Sequence, residues 1–577
     1  MAAVRRPPSV VLGLCAFTHD SAAALLVDGK LVGFVEEERL SGVKHTKAYP
    51  ELAVAWLLHE AGLRPADVGA VAYNFQALRY FAALAETPRW ALSPATRARA
   101  LPRAAGFAKV GLRSARRLRS LGHRFPQTDV HPVLHHRAHQ LTAFTASGWE
   151  DAAVLVVDSL GETQTTTIGL GRLSPDGRPH VATLQSLRDP ASLGYAYGAV
   201  TEHLGWRRGD EEGTVMALAA LGDPSRFRDL FAGAIRTTDA GFALDPTLFP
   251  LRVLSSGYAR TSPRFAALSC LPRLADEPVE AVHQDLAAAL QERTDEVMLH
   301  LAHRARALTG SRRLCLGGGV ATNCVSVGRI IDAGLFDEVF VPPAPGDAGT
   351  ALGAAIAAHV DGGTVGPLSG IADECYLGPR FSGADLDLSP WPQLREHKLP
   401  GDPAQFLAEQ LADGAIVGLF RGRVEAGPRA LGNRSILASP LLPGVVERLN
   451  ATVKFREPFR PFAPMVTAER AGEFFTLGQQ APFMSMASGV TEAARQRVPA
   501  IVHANGTARL QTVSSAQNPF MHDVLEAFAR RTGVPVLINT SLNVKGRPMC
   551  GTPAMALDCL ASSGLDALLL EGRWVTA

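Results

Sequence analysis

Residues 313–323, RLCLGGGVATN, place a short apolar run directly before three glycines and the expected start of a helix. A strand that passes through glycines into a helix is typical of α/β proteins. The alternation continues on both sides of this stretch. Residues 152–158 (AAVLVVD) predict a buried strand, residues 339–341 a short strand, and residues 348–359 a helix of small side chains. Strands that alternate with helices in this way predict the α/β class.

The rest of the chain predicts more than one domain. Residues 10–36 contain three apolar runs separated by turn residues, which is typical of hairpin-connected strands. Residues 361–400 are rich in Gly, Pro and Asp and show little periodicity, which predicts a linker and the entry into a second domain. New strand-like runs follow at residues 417–421 and 534–538.

Composition sets limits on the class of protein. The length of 577 residues allows about two to four domains. With 47% hydrophobic and 19% charged residues, the chain can bury large cores. A net charge of +2 excludes a grossly basic nucleic-acid coat and an acidic tail protein. Seven scattered cysteines without a CxxC pair argue against a disulfide scaffold or a zinc ribbon and favour a reducing cytoplasm. With no signal peptide and no run of ~20 apolar residues, we expect no membrane association.

The first candidate site is a histidine motif. His135 and His139 are spaced to share one face of a helix, and imidazole pairs at this spacing commonly bind a divalent metal. Asp158 at a strand end could add an oxygen ligand. Asp347, in GDAGTALG, lies at the expected start of a helix whose small residues could approach another backbone, or a nucleotide, closely. Solvated or capping histidines, and an ordinary helix N-cap at Asp347, are the alternatives.

Two shorter features are open to similar alternatives. The glycine triplet at 317–319 could present backbone N–H groups to an anion, although a tight turn explains it equally. His19, in the sequence His-Asp-Ser, could act as a base or contact phosphate, or simply stabilise a turn.

The densest candidate site lies near the C-terminus. Residues 421–435 (RGRVEAGPRALGNRS) and 454–464 (KFREPFRPFAP) hold arginines on loops rich in Gly and Pro. Guanidinium groups fixed in this way bind phosphate oxygens, whereas a surface cluster would pair with acids, and few acids lie nearby. Residues 97–124 are also basic, and predict either a polyanion-binding face or a solvated amphipathic helix, which could also cover a substrate cleft.

Together these motifs closely resemble the NodU/CmcH/TobZ family of ATP-dependent O-carbamoyltransferases. The resemblance runs from GLCAFTHDSAAALL (residues 13–26) to NTSLNVKGRP (539–548) and is most specific in GRVEAGPRALGNRSIL (422–437) and VKFREPFRPFAP (453–464). It implies an α/β protein whose residues 1–365 form an N-terminal, duplicated ASKHA/Kae1-like domain. Residues 366–395 would be a linker, and residues 396–577 a YrdC-like α/β domain.

The resemblance also implies a division of labour. The YrdC-like domain would make carbamoyl adenylate from carbamoyl phosphate and ATP, the latter with Mg²⁺. The Kae1-like domain would move the carbamoyl group to a hydroxyl of an acceptor and release AMP. The implied catalytic residues are His19, Lys454 and Arg460. The implied ligands of Fe²⁺, or of another divalent metal, are His135, His139, Asp158 and Asp347. The residues implied to bind carbamoyl phosphate and ATP are Arg429, Asn433, Arg434, Lys454, Arg460, Arg509, Asn539 and Ser541. Those implied to bind the nucleotide in the transfer domain are Gly317, Gly318 and Asn323.

The sequence departs from the family pattern at four positions. Thr214, Ala217 and Leu221 stand where the family usually has lysine, glycine and tyrosine, and Val327 replaces an asparagine. These departures suggest a more apolar acceptor pocket. We therefore expect a cytoplasmic enzyme that carbamoylates a small-molecule hydroxyl, as on an antibiotic sugar or a macrolide, without a nucleic-acid partner. Carbamoyl or threonylcarbamoyl transfer to tRNA, and a non-catalytic ASKHA-type nucleotide-binding protein, are the alternatives.

Overall fold

The structure, a computed structural model, describes residues 9–255, 257–362, 367–382 and 386–577. It confirms the mixed α/β class. The strands are β1 (Val10–Cys15), β2 (Ala22–Val27), β3 (Lys30–Glu36), β4 (Ala70–Tyr73), β5 (Asp129–Pro132), β6 (Asp151–Gly161), β7 (Gln164–Leu173), β8 (Pro179–Arg188), β9 (Ile235–Thr238), β10 (Gly241–Leu244), β11 (Arg313–Gly317), β12 (Glu338–Phe340), β13 (Arg395–His397), β14 (Val417–Phe420), β15 (Arg434–Ala438), β16 (Ala463–Thr467), β17 (Met486–Gly489), β18 (Thr507–Val513), β19 (Val536–Ser541), β20 (Ala567–Leu570) and β21 (Arg573–Thr576).

Besides α-helices, the chain contains several 3₁₀ segments and, at Leu449–Lys454, a π-helical turn. The α-helices are α1 (Glu37–Ser41), α2 (Glu51–Glu60), α3 (Thr87–Leu92), α4 (Arg97–Arg124), α5 (His135–Ser147), α6 (Leu193–His203), α7 (Glu212–Leu218), α8 (Arg228–Ala234), α9 (Pro263–Leu268), α10 (Ala281–Thr309), α11 (Cys324–Asp332), α12 (Thr350–Asp361), α13 (Pro403–Ala412), α14 (Val445–Arg448), α15 (Glu492–Arg497), α16 (Pro519–Thr532) and α17 (Pro553–Ala561).

The chain forms two compact units. Unit 1 contains the residues up to Phe34, Lys47–Thr322 and Arg329–Glu374, and unit 2 contains Val35–Thr46, Asn323–Gly328 and Cys375–Ala577. The sequence analysis places the end of the first domain at residue 365 and the start of the second at residue 396. Two short segments from the N-terminal part of the chain are thus counted with the C-terminal unit, because their packing partners lie there.

Unit 1 contains two five-stranded sheets with the same pattern of strands. Their orders are β3-β2-β1-β4-β5 and β12-β11-β6-β7-β8. In the first sheet β1 pairs antiparallel with β2 and parallel with β4, and β4 is parallel to β5. In the second, β6 pairs antiparallel with β7 and parallel with β11, and β11 is parallel to β12. The strand arrangement of unit 1 is therefore repeated.

The apolar run in β6 explains its place inside its sheet. Residues 152–157 are all buried, so both faces of this strand, which has a parallel neighbour on one side and an antiparallel neighbour on the other, are covered. The polar Asp158 comes directly after this run, where the pairing of β6 with β7 shifts register. The end of the apolar run thus places a carboxylate in the interior of unit 1.

Unit 2 is built on one nine-stranded sheet, in the order β13-β21-β20-β14-β15-β19-β16-β18-β17. Its helices α13, α16 and α17 each start with a polar cap followed by proline. The caps are the side chains of Asp402, Asn518 and Thr552, each of which accepts a backbone N–H of the first turn. A proline at the first helical position loses no hydrogen bond, and this combination fixes where each helix begins. Leu407, Leu411 and Phe528 then pack into the core beside the sheet.

Candidate active site

In unit 1 the two predicted metal-binding histidines lie one turn apart on α5. His135 is 0% and His139 2% exposed, and their Nε2 atoms are 3.1 Å apart. The ring of His135 stacks on Phe75, with 4.5 Å between the ring centroids. Because α5 begins at His135, both imidazoles project from its first turns in a fixed direction.

Two carboxylates complete this cluster. The Nε2 of His135 lies 3.6 Å from Asp158 Oδ2 and 3.5 Å from Asp347 Oδ1, and the Nε2 of His139 lies 3.8 Å from the same Asp347 oxygen. One ligand atom from each of the four residues lies within 4.8 Å of the other three. Two imidazole nitrogens and two carboxylate oxygens suit iron(II), zinc or another divalent ion of the first transition row. The structure thus brings all four predicted ligands together.

The charges inside the cluster are strongly coupled. Burial opposes the charged form of His135, but the Asp347 and Asp158 carboxylates raise its pKa to about 10. Burial and the charge of His135 lower the pKa of His139 well below its usual value. Burial raises the pKa of Asp347, and the pKa of Asp158 is lowered, against the effect of burial, by the neighbouring histidines. The two carboxylates thus favour a positive charge at this position, which a divalent cation would supply.

The glycine loop after β11 supports this cluster. Gly318 has φ +86°, and its N–H donates to Pro345 O at 2.9 Å. The N–H of Gly319 donates to Asp158 Oδ1, also at 2.9 Å. These two N–H groups therefore bind acceptors within the protein. The sequence had also allowed an open loop in which they would bind an anion. Gly317 ends β11, and Asn323 accepts the N–H of Ser326 at 3.2 Å at the start of α11, in unit 2.

His19 follows β1 and lies near the cluster. Its Nδ1 is 3.0 Å from Asp20 Oδ2, and both side chains are about one-third exposed. The charge of His19 is among those that lower the pKa of Asp347. A histidine held by a carboxylate at Nδ1 has its Nε2 directed elsewhere, which is the arrangement of a general base.

Sequence reasoning missed Glu162, which caps α5. Its Oε1 accepts the N–H of His135 at 3.3 Å and that of Gln76 at 2.9 Å, and burial raises its pKa to about 7. A carboxylate at a helix N-terminus is favourable, and here it fixes the helix that carries both histidines. No local sequence signal identifies such a cap, because it comes from the turn between β6 and β7.

In unit 2 three of the predicted phosphate-binding arginines and Lys454 gather with a further arginine into one cationic cluster, defined here as Arg429, Arg456, Arg460, Arg509 and Lys454. Burial and the charges of Arg509 and Arg460 lower the pKa of Arg429 to about 9. Burial, and to a smaller extent the charge of Arg460, lowers the pKa of Arg509. The Nε of Arg509 is buried and has no hydrogen-bond partner among the described residues. Like charges held this close favour an anion as their common partner.

Lys454 ends the π-helical turn and lies in a shell of oxygens. Its Nζ donates to Asn543 Oδ1 at 2.7 Å, to Asn543 O at 3.1 Å, to Ser541 Oγ at 3.3 Å and to the Ser541 carbonyl. Burial and the Arg456 charge lower its pKa to about 7. Ser541, at the end of β19, is thus next to Lys454, as the sequence analysis placed polar groups at this strand end.

Other predicted ligand residues make contacts inside the protein. Arg434 is 0% exposed; its guanidinium donates to Arg421 O at 2.6 Å and Gly422 O at 3.0 Å and stacks on Phe420. Asn433 Nδ2 donates to Arg423 O at 2.8 Å. These two side chains hold the 421–434 connection together.

Asn539 is likewise engaged. Its Nδ2 donates to Ala430 O at 2.9 Å and to Gln511 Oε1 at 2.7 Å, and its Oδ1 is buried without a partner. It therefore fixes the residue next to Arg429.

Three members of the site in unit 2 were not predicted. Arg456 lies in the KFREPFRP motif and Asn543 ends NTSLN, so both could have been chosen from their motifs. Cys324, at the start of α11, lies within electrostatic range of Arg429 and Arg509. It is distant in sequence from both, and only the fold brings it there.

The described residues contain no helix that is long and apolar enough to cross a bilayer. Unit 1 holds a buried His–Asp cluster and unit 2 a set of gathered cations, and each is a type of site that is common in enzymes. The family model described as carbamoyltransferase N-terminus matches residues 10–356, and the one described as carbamoyltransferase C-terminus matches residues 408–577. The chain therefore belongs to the carbamoyltransferase family. The resemblance to the NodU/CmcH/TobZ family is confirmed, and the chain is an O-carbamoyltransferase.

Several relatives span most of the chain. Nodulation protein NolNO of Sinorhizobium fredii is 36% identical over 560 residues, which are 96% of this chain and 78% of that protein. The uncharacterized protein sll1178 of Synechocystis is 34% identical over 602 residues, 97% of this chain and 95% of that protein. Among solved structures, HypF of T. kodakarensis is 13% identical with a TM-score of 0.29, over 62% of this chain and 48% of that chain. ROK hexokinase of Thermus thermophilus is 17% identical with a TM-score of 0.27, over 61% of this chain and 99% of that chain.

Proposed function

We propose that unit 2 makes carbamoyl adenylate and that unit 1 transfers its carbamoyl group to a hydroxyl. One carbamoyl phosphate, one ATP and one water give carbamoyl adenylate, phosphate and pyrophosphate. The acceptor hydroxyl then takes the carbamoyl group, and AMP leaves. The observation that carries this proposal is the cationic cluster, whose members lower each other's pKa and need a polyanion to balance them.

Within unit 2, we assign Arg429, Arg460 and Arg509 to the phosphate oxygens of carbamoyl phosphate and ATP, with Mg²⁺ accompanying ATP. Fixed guanidinium groups stabilise the negative charge that builds up on the leaving phosphates without having to reorganise. Lys454, fixed by Ser541 and Asn543, supplies a further positive charge at the same place. We further propose that this unit is a YrdC-like domain.

Within unit 1, the repeated strand pattern supports an ASKHA/Kae1-like fold. We propose that His135, His139, Asp158 and Asp347 hold a divalent ion, iron(II) by resemblance. When bound, such an ion supplies Lewis acidity toward phosphate or carbonyl oxygens. His19, oriented by Asp20, accepts the proton of the acceptor hydroxyl as its oxygen attacks the carbamoyl carbon.

We propose a small-molecule acceptor, with an antibiotic sugar or a macrolide as the classes to try first. Thr214 and Val327, which replace polar residues of the family pattern, are both fully buried, while Leu221 is 42% exposed. A leucine that remains accessible supports a more apolar acceptor surface. The seven free cysteines suit a reducing compartment, so we assign the enzyme to the cytoplasm.

Transfer to tRNA is the second candidate, favoured by the outer face of α4. The side chains of Arg97, Lys109, Arg113, Arg116 and Arg119 are exposed and make no hydrogen bond or ion pair with the described residues, and the helix contains no acid. A gel-shift titration with tRNA at about 150 mM salt distinguishes the two functions, because absence of binding there removes this candidate.

The decisive experiment separates the two half-reactions. With ATP and carbamoyl phosphate but no acceptor, the enzyme should release pyrophosphate; a panel of hydroxylated metabolites should then gain one carbamoyl group, detected by mass spectrometry. Lys454→Ala should abolish pyrophosphate release. His19→Asn should leave it intact and lower transfer by about 10²–10⁴-fold. The exposed Lys398→Ala serves as control. If His19→Asn stops pyrophosphate release, the assignment of the half-reactions to the two units is wrong.

A further inference from the structure

The short segment Val35–Thr46 is far from the C-terminal motifs in sequence but belongs to unit 2. Two of its side chains hold the main chain of one residue, Gly427, in the motif that contains Arg429. Glu36 Oε1 accepts the N–H of Gly427 at 2.6 Å, and Arg39 Nη2 donates to the carbonyl of Gly427 at 2.7 Å. Glu36 is 4% and Arg39 3% exposed. Both polar groups of Gly427 are therefore satisfied by residues from the beginning of the chain.

The same loop is held from within by a second carboxylate. Glu425 Oε1 accepts the backbone N–H groups of Leu431 at 3.0 Å, Asn433 at 2.8 Å and Arg434 at 2.9 Å. Arg429 thus lies between two anchored points, Gly427 and Leu431. The main-chain position of Arg429 therefore depends on the carboxylates of Glu36 and Glu425. Arg39 adds the contact to the carbonyl of Gly427.

The segment is also confined on its other side. A Cβ built on Gly551 would lie 1.8 Å from the carbonyl oxygen of Arg39, so α1 packs directly on the backbone before α17. Arg39 Nη1 donates to Glu38 Oε1 at 2.5 Å, and Glu38 Oε2 accepts the N–H of His45 at 2.8 Å. The segment cannot shift without breaking buried charged contacts.

Stability alone does not account for these charges. Arg39 Nε and Glu36 Oε2 are buried without a hydrogen bond and lie 3.8 Å apart. Burying an ion pair with unsatisfied atoms is often no better for stability than a well-packed apolar pair. A fixed position for the loop is a gain that an apolar pair could not provide, because it would leave both the N–H and the C=O of Gly427 without these partners.

We infer that Glu36 and Arg39 are positioning residues for Arg429, so that carbamoyl adenylate formation requires a segment from the beginning of the chain. The inference rests on the proposed function of unit 2. Neither residue touches substrate. Glu36 binds the N–H of Gly427 and Arg39 binds its C=O, and the two contacts together fix where the Arg429 guanidinium lies.

The test uses Arg39→Ala, Arg39→Lys and Glu36→Gln in the full chain. Two readouts are taken: the KM for carbamoyl phosphate in acceptor-free pyrophosphate release, and the Kd for inorganic phosphate by calorimetry. Arg39→Ala should raise both by about tenfold or more, because a charged hydrogen bond to the loop is lost. Glu36→Gln keeps an oxygen for the Gly427 N–H and should stay within about threefold of the wild type. Arg573→Ala, which breaks an ion pair with Glu396 elsewhere in unit 2, is the control and should change neither value.

The outcomes are distinct. A folded Arg39→Ala enzyme with unchanged KM and Kd overturns the inference. If Arg39→Ala does not fold, Arg39→Lys decides: it keeps a charge but loses the forked contact to Glu38 and Gly427, and unchanged values again overturn the inference. If the wild type releases no pyrophosphate, the proposed function fails, while weaker phosphate binding by the Arg39 variants would still support the positioning role.

Discussion

Lys454 combines a position in the cationic cluster with an unusual environment. Four oxygen contacts surround its Nζ, yet burial and the charge of Arg456 hold its pKa at about 7 instead of the usual 10.5. In the ligand-free protein the amine therefore loses its proton within the physiological range of pH. A bound anion favours the protonated form and moves this loss to higher pH.

Binding of carbamoyl phosphate should consequently weaken as the pH rises. The apparent KM in acceptor-free pyrophosphate release should increase between about pH 7 and 9, because the neutral amine no longer attracts the phosphate. Lys454→Arg keeps its charge throughout this range and should show a flatter profile. Equal slopes for the two proteins would contradict this role of Lys454.

The histidine cluster makes a second prediction at the residue scale. His139→Ala and Asp158→Asn should each reduce the iron(II) or zinc retained after anaerobic loading and desalting, measured by mass spectrometry of the metal, by about tenfold or more. His123→Ala, an exposed histidine on α4, is the control. Full retention in both cluster variants would show that any bound metal resides elsewhere.

Single residues were predictable from the sequence to different degrees. The His135/His139 pair followed from helical spacing alone, because that spacing fixes a common face. Asp158 was a candidate ligand because it follows an apolar strand, whereas Asp347 as a ligand depended on the resemblance, since no local rule relates it to residues so distant in sequence. Arg434 and Asn433 were expected to bind ligand, but their partners are carbonyl groups of the same connection, which become apparent only in the folded chain.

At the scale of elements, the turn after β11 shows how a glycine loop can serve a site indirectly. A Cβ on Gly318 would lie 2.3 Å from Val157 O, and φ is +86°. The N–H of the next residue donates to Asp158. The turn thus couples the end of β11 to the carboxylate that follows the apolar run of β6.

Gly318→Ala should therefore destabilise unit 1 strongly. We expect a loss of about 3 kcal/mol or more in unfolding free energy, from the left-handed backbone and the steric clash together. Gly334→Ala is the matched control: it has φ +63° but no atom within 4 Å of the added Cβ, so it should cost only about 1–2 kcal/mol. Urea unfolding measures both, and equal losses would argue against the clash.

The sequence predicted strands and helices better than it predicted which other elements they pack against. The buried strand predicted over residues 152–158 was recognised because an apolar run is a local property. The helix predicted over 348–359 was observed as α12 over Thr350–Asp361, a shift at its start that follows from a 3₁₀ turn at Asp347–Gly349. The membership of α1 in the C-terminal unit could not be predicted, because it depends on contacts across hundreds of residues.

At the scale of the whole molecule, the division of the chain into units can be tested by amide hydrogen exchange. Saturating inorganic phosphate should slow exchange in peptides from unit 2, including residues 35–46, because binding stabilises the unit that contains the site. Metal chelation should instead speed exchange in residues 135–147. Residues 35–46 responding to chelation but not to phosphate would contradict the division.

The path of the chain between the two units has a consequence for synthesis. Arg39 leaves the ribosome 388 residues before Gly427, its hydrogen-bond partner. At ordinary rates of translation the nascent segment waits roughly 20–80 s for its hydrogen-bond partner Gly427. Residues 35–46 thus lack their packing partners during elongation. The anion site of unit 2 matures only when the late-made part of the polypeptide arrives to capture them.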